Sequence, residues 1–190
     1  MFCNMIFVGY YTIGTPYERE SLVLRESLDA LGLEHDIVGV PRFATWQQAT
    51  QHKAKIVRQM LKKYKRRIMY IDVDSIVLSR LDLSFDEMNV DIAAVLFNNE
   101  ELLSGVVLFN YTPATIDVLN NWDTENTNDP QSWDQRTLHK AIKATPCHFC
   151  ALHPKYNYIV GLSQRLYPDV QPVILATRGA LRYQQEIDRG

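Results

Sequence analysis

Long apolar runs are absent from this 190-residue sequence. No stretch reaches the roughly 18 to 20 residues that a membrane-spanning helix needs, so no membrane partner is expected. The apolar opening Met5-Ile6-Phe7-Val8 lacks a basic lead and a small-residue cleavage site, and reads as a first strand rather than a signal segment. Cysteine is scarce: Cys3, Cys147 and Cys150 are an odd number that cannot all pair within the chain. That excludes a disulfide scaffold and favours a reducing compartment, with the cytoplasm as default. Eight glycines and eight prolines are too few for a collagen-like or low-complexity chain. Charge of one sign is also missing, since 20 basic against 22 acidic residues leave a net charge of −2. No global field therefore draws the chain to nucleic acid or acidic lipid. What remains, 46% hydrophobic and 22% charged, is ordinary globular composition at the length of one domain.

Apolar runs alternate with helical periodicity, which predicts an α/β fold: one mixed, mostly parallel sheet flanked by helices. Asn4 to Tyr10 reads as a strand. Thr15-Pro16-Tyr17-Glu18 has the form of a capping box opening a helix with Ser21, Leu24, Leu28 and Leu31 inward, closed by Gly32. Asp36 to Val40 is a second strand. From Trp46 to Tyr64 the apolar residues fall at three- and four-residue spacings, so the acid-free run Lys53, Lys55, Arg58, Lys62, Lys63, Lys65, Arg66, Arg67 is mostly the solvated side of a helix. Lys53 is the exception, because it sits on the apolar stripe. Either its stem snorkels, or its ammonium is aimed at an anion in a cleft.

Further strands are predicted over Arg67 to Ile71, Ser75 to Leu78, Asp91 to Phe97 and Leu102 to Asn110, with a polar stretch around Asp82 to Asn89. A helix starts at Thr112-Pro113 and carries Ile116, Leu119 and Trp122. Asn126 to Pro130 reads as a loop, and Ser132-Trp133-Asp134-Gln135 as a second capping box.

The strongest chemical signal is Ile71-Asp72-Val73-Asp74, where an apolar strand delivers two carboxylates to its carboxyl end, the ligand-binding edge of open α/β sheets. Strand alternation would point both the same way, so that they share one hard cation, Mn²⁺ or Mg²⁺. Two chemistries use such a pair. A dehalogenase-type phosphatase phosphorylates the first aspartate but needs a later acidic pair, which the sequence does not offer. A nucleotide-sugar transferase uses the pair to neutralise a diphosphate through the metal. Separately, Cys147-His148-Phe149-Cys150 with His153 has zinc-ligand types at CxxC spacing, against the plainer reading of an alternating strand.

The ordered set of segments along the chain resembles the GT-A glycosyltransferases, small bacterial and viral types with a DxD motif. The set comprises Phe7 to Thr12, Trp46 with Lys53, Ile71 to Ser75, Asp91-Ile92-Ala93, Leu103 to Asn110, Trp133-Asp134-Gln135 and Leu152 to Tyr158. The resemblance implies a Rossmann-like nucleotide-diphospho-sugar transferase fold as one domain over 1–190. Residues 1–110 would form the half that binds nucleotide sugar and metal, and 111–190 the acceptor side. It also implies a metal-dependent transfer of a sugar from a nucleotide sugar, UDP favoured, to a hydroxyl, with retention favoured because no lone carboxylate stands out as a base. A binding protein that has lost catalysis is the alternative.

By the same resemblance Asp72 and Asp74 hold the metal. Tyr11 and Thr12 meet the base, and Lys53, Asp72, Arg178 and Arg182 serve the donor. Ser104, Gly105, Asp134 and Gln135 face the sugar and its anomeric carbon. One departure stands out: Ala176 occupies the place of the family's metal-binding histidine. The basic helix 53–67 admits a modified DNA base as acceptor, against the plainer reading of a solubilising face.

Overall fold

The computed structural model describes residues 5–82 and 89–177. Cys3, most of the polar stretch after Asp82, and Arg178 and Arg182 lie outside the described residues.

Six strands, β1 (Ile6–Thr12), β2 (His35–Val40), β3 (Ile68–Ile71), β5 (Ile92–Phe97), β6 (Glu101–Phe109) and β7 (Phe149–Leu152), form one sheet in the order β2-β1-β3-β6-β5-β7. Parallel pairing joins β1 to β2 and β3, and β5 to β7, while β6 runs antiparallel to both of its neighbours. This is the mixed, mostly parallel sheet that the alternating pattern predicts. Helices cover both faces, so its strands are apolar on both sides. In β3, Ile68 and Tyr70 belong to one core and Met69 and Ile71 to the other, and all four are buried.

The first core packs the sheet against α3 (Lys53–Tyr64), α4 (Pro113–Asn128) and α5 (Asp134–Ala144). At its centre Trp122 is fully buried and stacks on Phe109 with centroids 6.4 Å apart. The second core lies under α1 (Pro16–Ala30), through Leu24 and Leu28. It is completed by a small sheet, β4 (Ser75–Val77), β9 (Ile174–Ala176) and β8 (Tyr158–Ile159) in the order β4-β9-β8; the pattern predicts the first of these strands but not the pairing. Strands of two or three residues carry too little periodicity for their partners to be read from sequence.

Three local expectations need correction. Thr15 starts α1 but its hydroxyl donates to the Thr12 carbonyl (2.6 Å), and Glu18 accepts from Gly14 N instead of closing a box with Thr15. The helix expected from Trp46 to Tyr64 breaks at His52 into α2 (Trp46–Gln51) and α3. There the Gln51 carbonyl accepts from Asn126 Nδ2, a tertiary bond in place of a helical one. Asn126 also accepts from Thr137 Oγ1 at 2.6 Å. These partners keep the segment to Asn128 helical where composition alone predicts a loop.

No helix among the described residues is long and apolar enough to cross a membrane.

Candidate active site

β1 and β3 are parallel neighbours, and their carboxyl ends open into a cleft of about 300 Å³. Lys53, at the start of α3, projects into it as the apolar-stripe position suggests, and the residue is 4% exposed. Its Nζ lies 2.6 Å from Asp134 Oδ2 and 3.0 Å from Asp72 Oδ1, and donates to the Ser104 carbonyl at 3.1 Å. The Tyr70 ring sits 4.7 Å from the ammonium, and the Tyr70 hydroxyl donates to Asp72 Oδ1 at 2.8 Å. Burial alone would lower the Lys53 pKa. Asp134 and Asp72 outweigh burial and raise its pKa, so it is a fixed cation.

Three carboxylates, Asp72, Asp74 and Asp134, line a cleft in which Lys53 is the lysine. The Asp72 pKa is pushed upward first by burial and further by Asp74 and Asp134, against the pull of Lys53 and the Tyr70 hydrogen bond. Its side chain keeps 36% of its surface open to the cleft, so water limits the shift until a ligand covers it. An additional cation would relieve this excess of negative charge.

Asp72 and Asp74 converge differently from the expectation. The strand ends at Ile71, and Asp72 to Ser75 form a turn closed by Ser75 N donating to the Asp72 carbonyl (3.1 Å). Both carboxylates reach the cleft through the turn rather than by strand alternation. The turn is pinned from two sides: Asp72 N donates to the Gly105 carbonyl, and Thr177 N to the Asp74 carbonyl, each at 2.8 Å.

Gly105 lets the backbone come close to this carboxylate, because a Cβ there would lie 3.2 Å from Asp72 Oδ2, tighter than an ordinary contact. Its neighbour Ser104 donates its hydroxyl to Asp134 Oδ2 at 2.7 Å. The second capping box does not form. Trp133 is the N-cap residue of α5 and Ser132 Oγ is buried without a partner. Asp134 is turned instead to Lys53 and Ser104, while Gln135 Oε1 accepts from Ser104 N (3.3 Å) and its Nε2 donates to Glu101 Oε1 (2.6 Å). Tertiary partners have taken both side chains away from the helix end.

Tyr11 and Thr12 line the outer cleft with Tyr17 and with Trp46, which is 47% exposed. The structure thus brings Tyr11, Thr12, Lys53, Asp72, Asp74, Ser104, Asp134 and Gln135 to one place. Tyr70 is not signalled as a site residue by the sequence; it lies two residues before Asp72, and only the turn brings that carboxylate to its hydroxyl. A second cavity of about 300 Å³, lined by Glu101, Arg136 and His139 among others, shares Trp133 and Gln135 with the cleft. The Arg136 guanidinium lies 5.4 Å from the Trp133 ring.

Two other motifs separate. Cys147 packs on one face of the sheet and Cys150 on the other, so the CxxC does not converge on a zinc ion. In the basic run, Arg58 pairs with Asp123, Lys63 with Asp36 and Arg66 with Glu34, all acids from neighbouring elements.

Among the described residues, no cluster of three or more His, Cys, Asp or Glu has the arrangement of a metal cage. Asp72 and Asp74 fit the other mode, in which one or two carboxylates share Mg²⁺ or Mn²⁺ with substrate phosphates and water. Ala176 lies in β9 opposite Ser75, beside this turn.

Neither a family profile nor a curated protein sequence matches the chain. Solved structures do. A glycosyltransferase involved in glycosylation of the major capsid of PBCV-1 aligns over 99% of this chain and 100% of its own, at 15% identity and TM-score 0.70. The Streptococcus pneumoniae TIGR4 glycosyltransferase GlyE aligns over 90% of this chain and 54% of its own, at 17% identity and TM-score 0.61. The galactosyltransferase LgtC, solved with donor and acceptor sugar analogs, aligns over 92% and 87%, at 12% identity and TM-score 0.61. Agreement over nine-tenths or more of this chain at such low identity is agreement of architecture, and the chain has the GT-A glycosyltransferase fold.

Proposed function

We propose that the protein is a metal-dependent glycosyltransferase that moves a sugar from a nucleotide-sugar donor, a UDP-sugar favoured, to a hydroxyl acceptor. The observation that carries this reading is the cleft in which Lys53, Asp72, Asp74 and Asp134 meet at the carboxyl ends of β1 and β3. A phosphatase of the dehalogenase type draws no support from the transferase neighbours.

In this reading Asp72 and Asp74 hold Mn²⁺ or Mg²⁺, which when bound stabilises charge on the departing diphosphate. Lys53 supplies a compact fixed cation to the same diphosphate. The exposed faces of Tyr11 and Trp46 stack on the base, and Thr12 offers a hydroxyl to its edge. Ser104, Gly105, Asp134 and Gln135 border the sugar. Retention is favoured because Asp134 is tied to Lys53 and Ser104, which leaves it unsuited to serve as the base of an inverting reaction. The second cavity, reached past Trp133 and Gln135, suits the acceptor. The odd cysteine count supports a reducing, cytoplasmic setting.

The test is a panel of nucleotide sugars with and without Mn²⁺, following thermal shift and release of the nucleoside diphosphate. A transferase releases UDP slowly from its donor without acceptor, whereas a binding protein shifts in melting temperature and releases none. Asp74→Asn should keep the fold and lose the metal-dependent part of donor binding. Unchanged donor affinity in that variant would remove Asp74 from the metal site.

A further inference from the structure

One side chain beside the cleft is unused by both the fold and the proposed reaction. Asn157 follows the single 3-10 turn Pro154–Tyr156 and is 1% exposed. Its Nδ2 and Oδ1 are both buried, and neither has a hydrogen-bond partner among the described residues. The adjoining tyrosines do not share this state: the Tyr156 hydroxyl donates to Asp82 (2.9 Å) and the Tyr158 hydroxyl to the Tyr167 carbonyl (3.2 Å). Its φ is −149°, so no left-handed conformation calls for asparagine here. A buried amide without partners is a standing cost to stability, so its presence calls for a compensating use.

The amide abuts the metal-binding turn. A Cβ on Gly105 would lie 3.3 Å from Asn157 Nδ2, 3.4 Å from Asn157 Oδ1 and 3.2 Å from Asp72 Oδ2. The missing side chain of Gly105 therefore lets the amide and the carboxylate approach one point. Asp72 spends its Oδ1 on Lys53 and Tyr70, and among the described residues no hydrogen bond reaches its Oδ2. An unused donor and an unused acceptor thus border the same gap.

We infer that Asn157 is a positioning residue for Asp72, whose carboxamide takes the free carboxylate face and fixes the rotation of the carboxyl group when the cation and diphosphate are bound. The inference rests on the proposed cation site. Carboxylates that bind metals need such outer partners, and loss of one commonly weakens metal binding about 10- to 100-fold.

The experiment is Mn²⁺ titration by electron paramagnetic resonance in the presence of UDP, on wild type, Asn157→Leu and Asn157→Ala, with melting temperatures alongside. Leucine is close in volume and removes two unpaired polar atoms, so N157L should melt at or above the wild-type temperature. Its Mn²⁺ affinity should nevertheless fall about 10- to 100-fold, while affinity for UDP without metal stays the same. A folded N157L or N157A with wild-type Mn²⁺ affinity overturns the inference and leaves the cation site standing. A large drop in melting temperature in both variants overturns it too, since the amide would then be structural. Failure of the wild type to bind Mn²⁺ with UDP removes the cation site itself, and this role of Asn157 with it.

Discussion

At the scale of residues, Lys53 carries the most consequence. Its ammonium is buried between Asp72 and Asp134, and removing one partner of a buried ion pair leaves the others uncompensated. Lys53→Met should therefore destabilise the protein by about 3 kcal/mol, a cost dominated by Asp134, because Asp72 still meets the cleft. The double variant Lys53→Met with Asp134→Leu should recover most of that loss in urea denaturation and bind no UDP-sugar. Donor affinity retained in the double variant would mean that Lys53 serves the fold alone. A lysine on an apolar stripe is a legible anomaly, and the sequence reading singled it out for that reason. Its chief partner was harder to see. Asp134 looks locally like part of a capping box, and nothing within its own segment says that Ser104 and Lys53, from two distant elements, will claim it.

Legibility at the scale of elements follows length. α1 and the strands of the large sheet are long enough for period and burial to agree, and they lie within a few residues of where the pattern puts them, as does the end of α3. The three-stranded sheet is built from strands of two or three residues, and only the tertiary fold reveals it. Yet this sheet shapes the proposed cation site. Pairing of β9 with β4 sets Ala176 opposite Ser75, next to Asp74, and Thr177 caps the Asp74 carbonyl. The departure at Ala176 thus falls beside the proposed cation rather than at a remote surface. Ala176→His should add a third protein ligand and tighten Mn²⁺ binding about tenfold, roughly 1.4 kcal/mol. The measurement is the Mn²⁺ titration without nucleotide, where the protein's own ligands count most. An unchanged titration would mean that the imidazole cannot reach the ion from β9.

At the scale of the whole molecule, the question is what the basic run can attract. Eight basic residues without an acid among them look, in sequence, like a track for a phosphate backbone. Folding changes that balance. Lys53 is turned into the cleft, and β2, the segment before it and α4 bring Asp36, Glu34 and Asp123 against Lys63, Arg66 and Arg58. The net charge of −2 adds no long-range attraction of its own. DNA binding depends on release of counterions by many cations acting together, and pairing takes four of the eight out of that set. Duplex DNA should therefore show no salt-dependent association by fluorescence anisotropy between about 50 and 200 mM salt, a range over which a protein making several phosphate contacts loses affinity by orders of magnitude. Donor-dependent UDP release should be equally indifferent to added DNA. A steep salt slope that shrinks when Lys62 and Lys65 are changed to glutamine would restore a modified DNA base as the acceptor, because it would show that the remaining lysines suffice to hold the backbone beside the cleft.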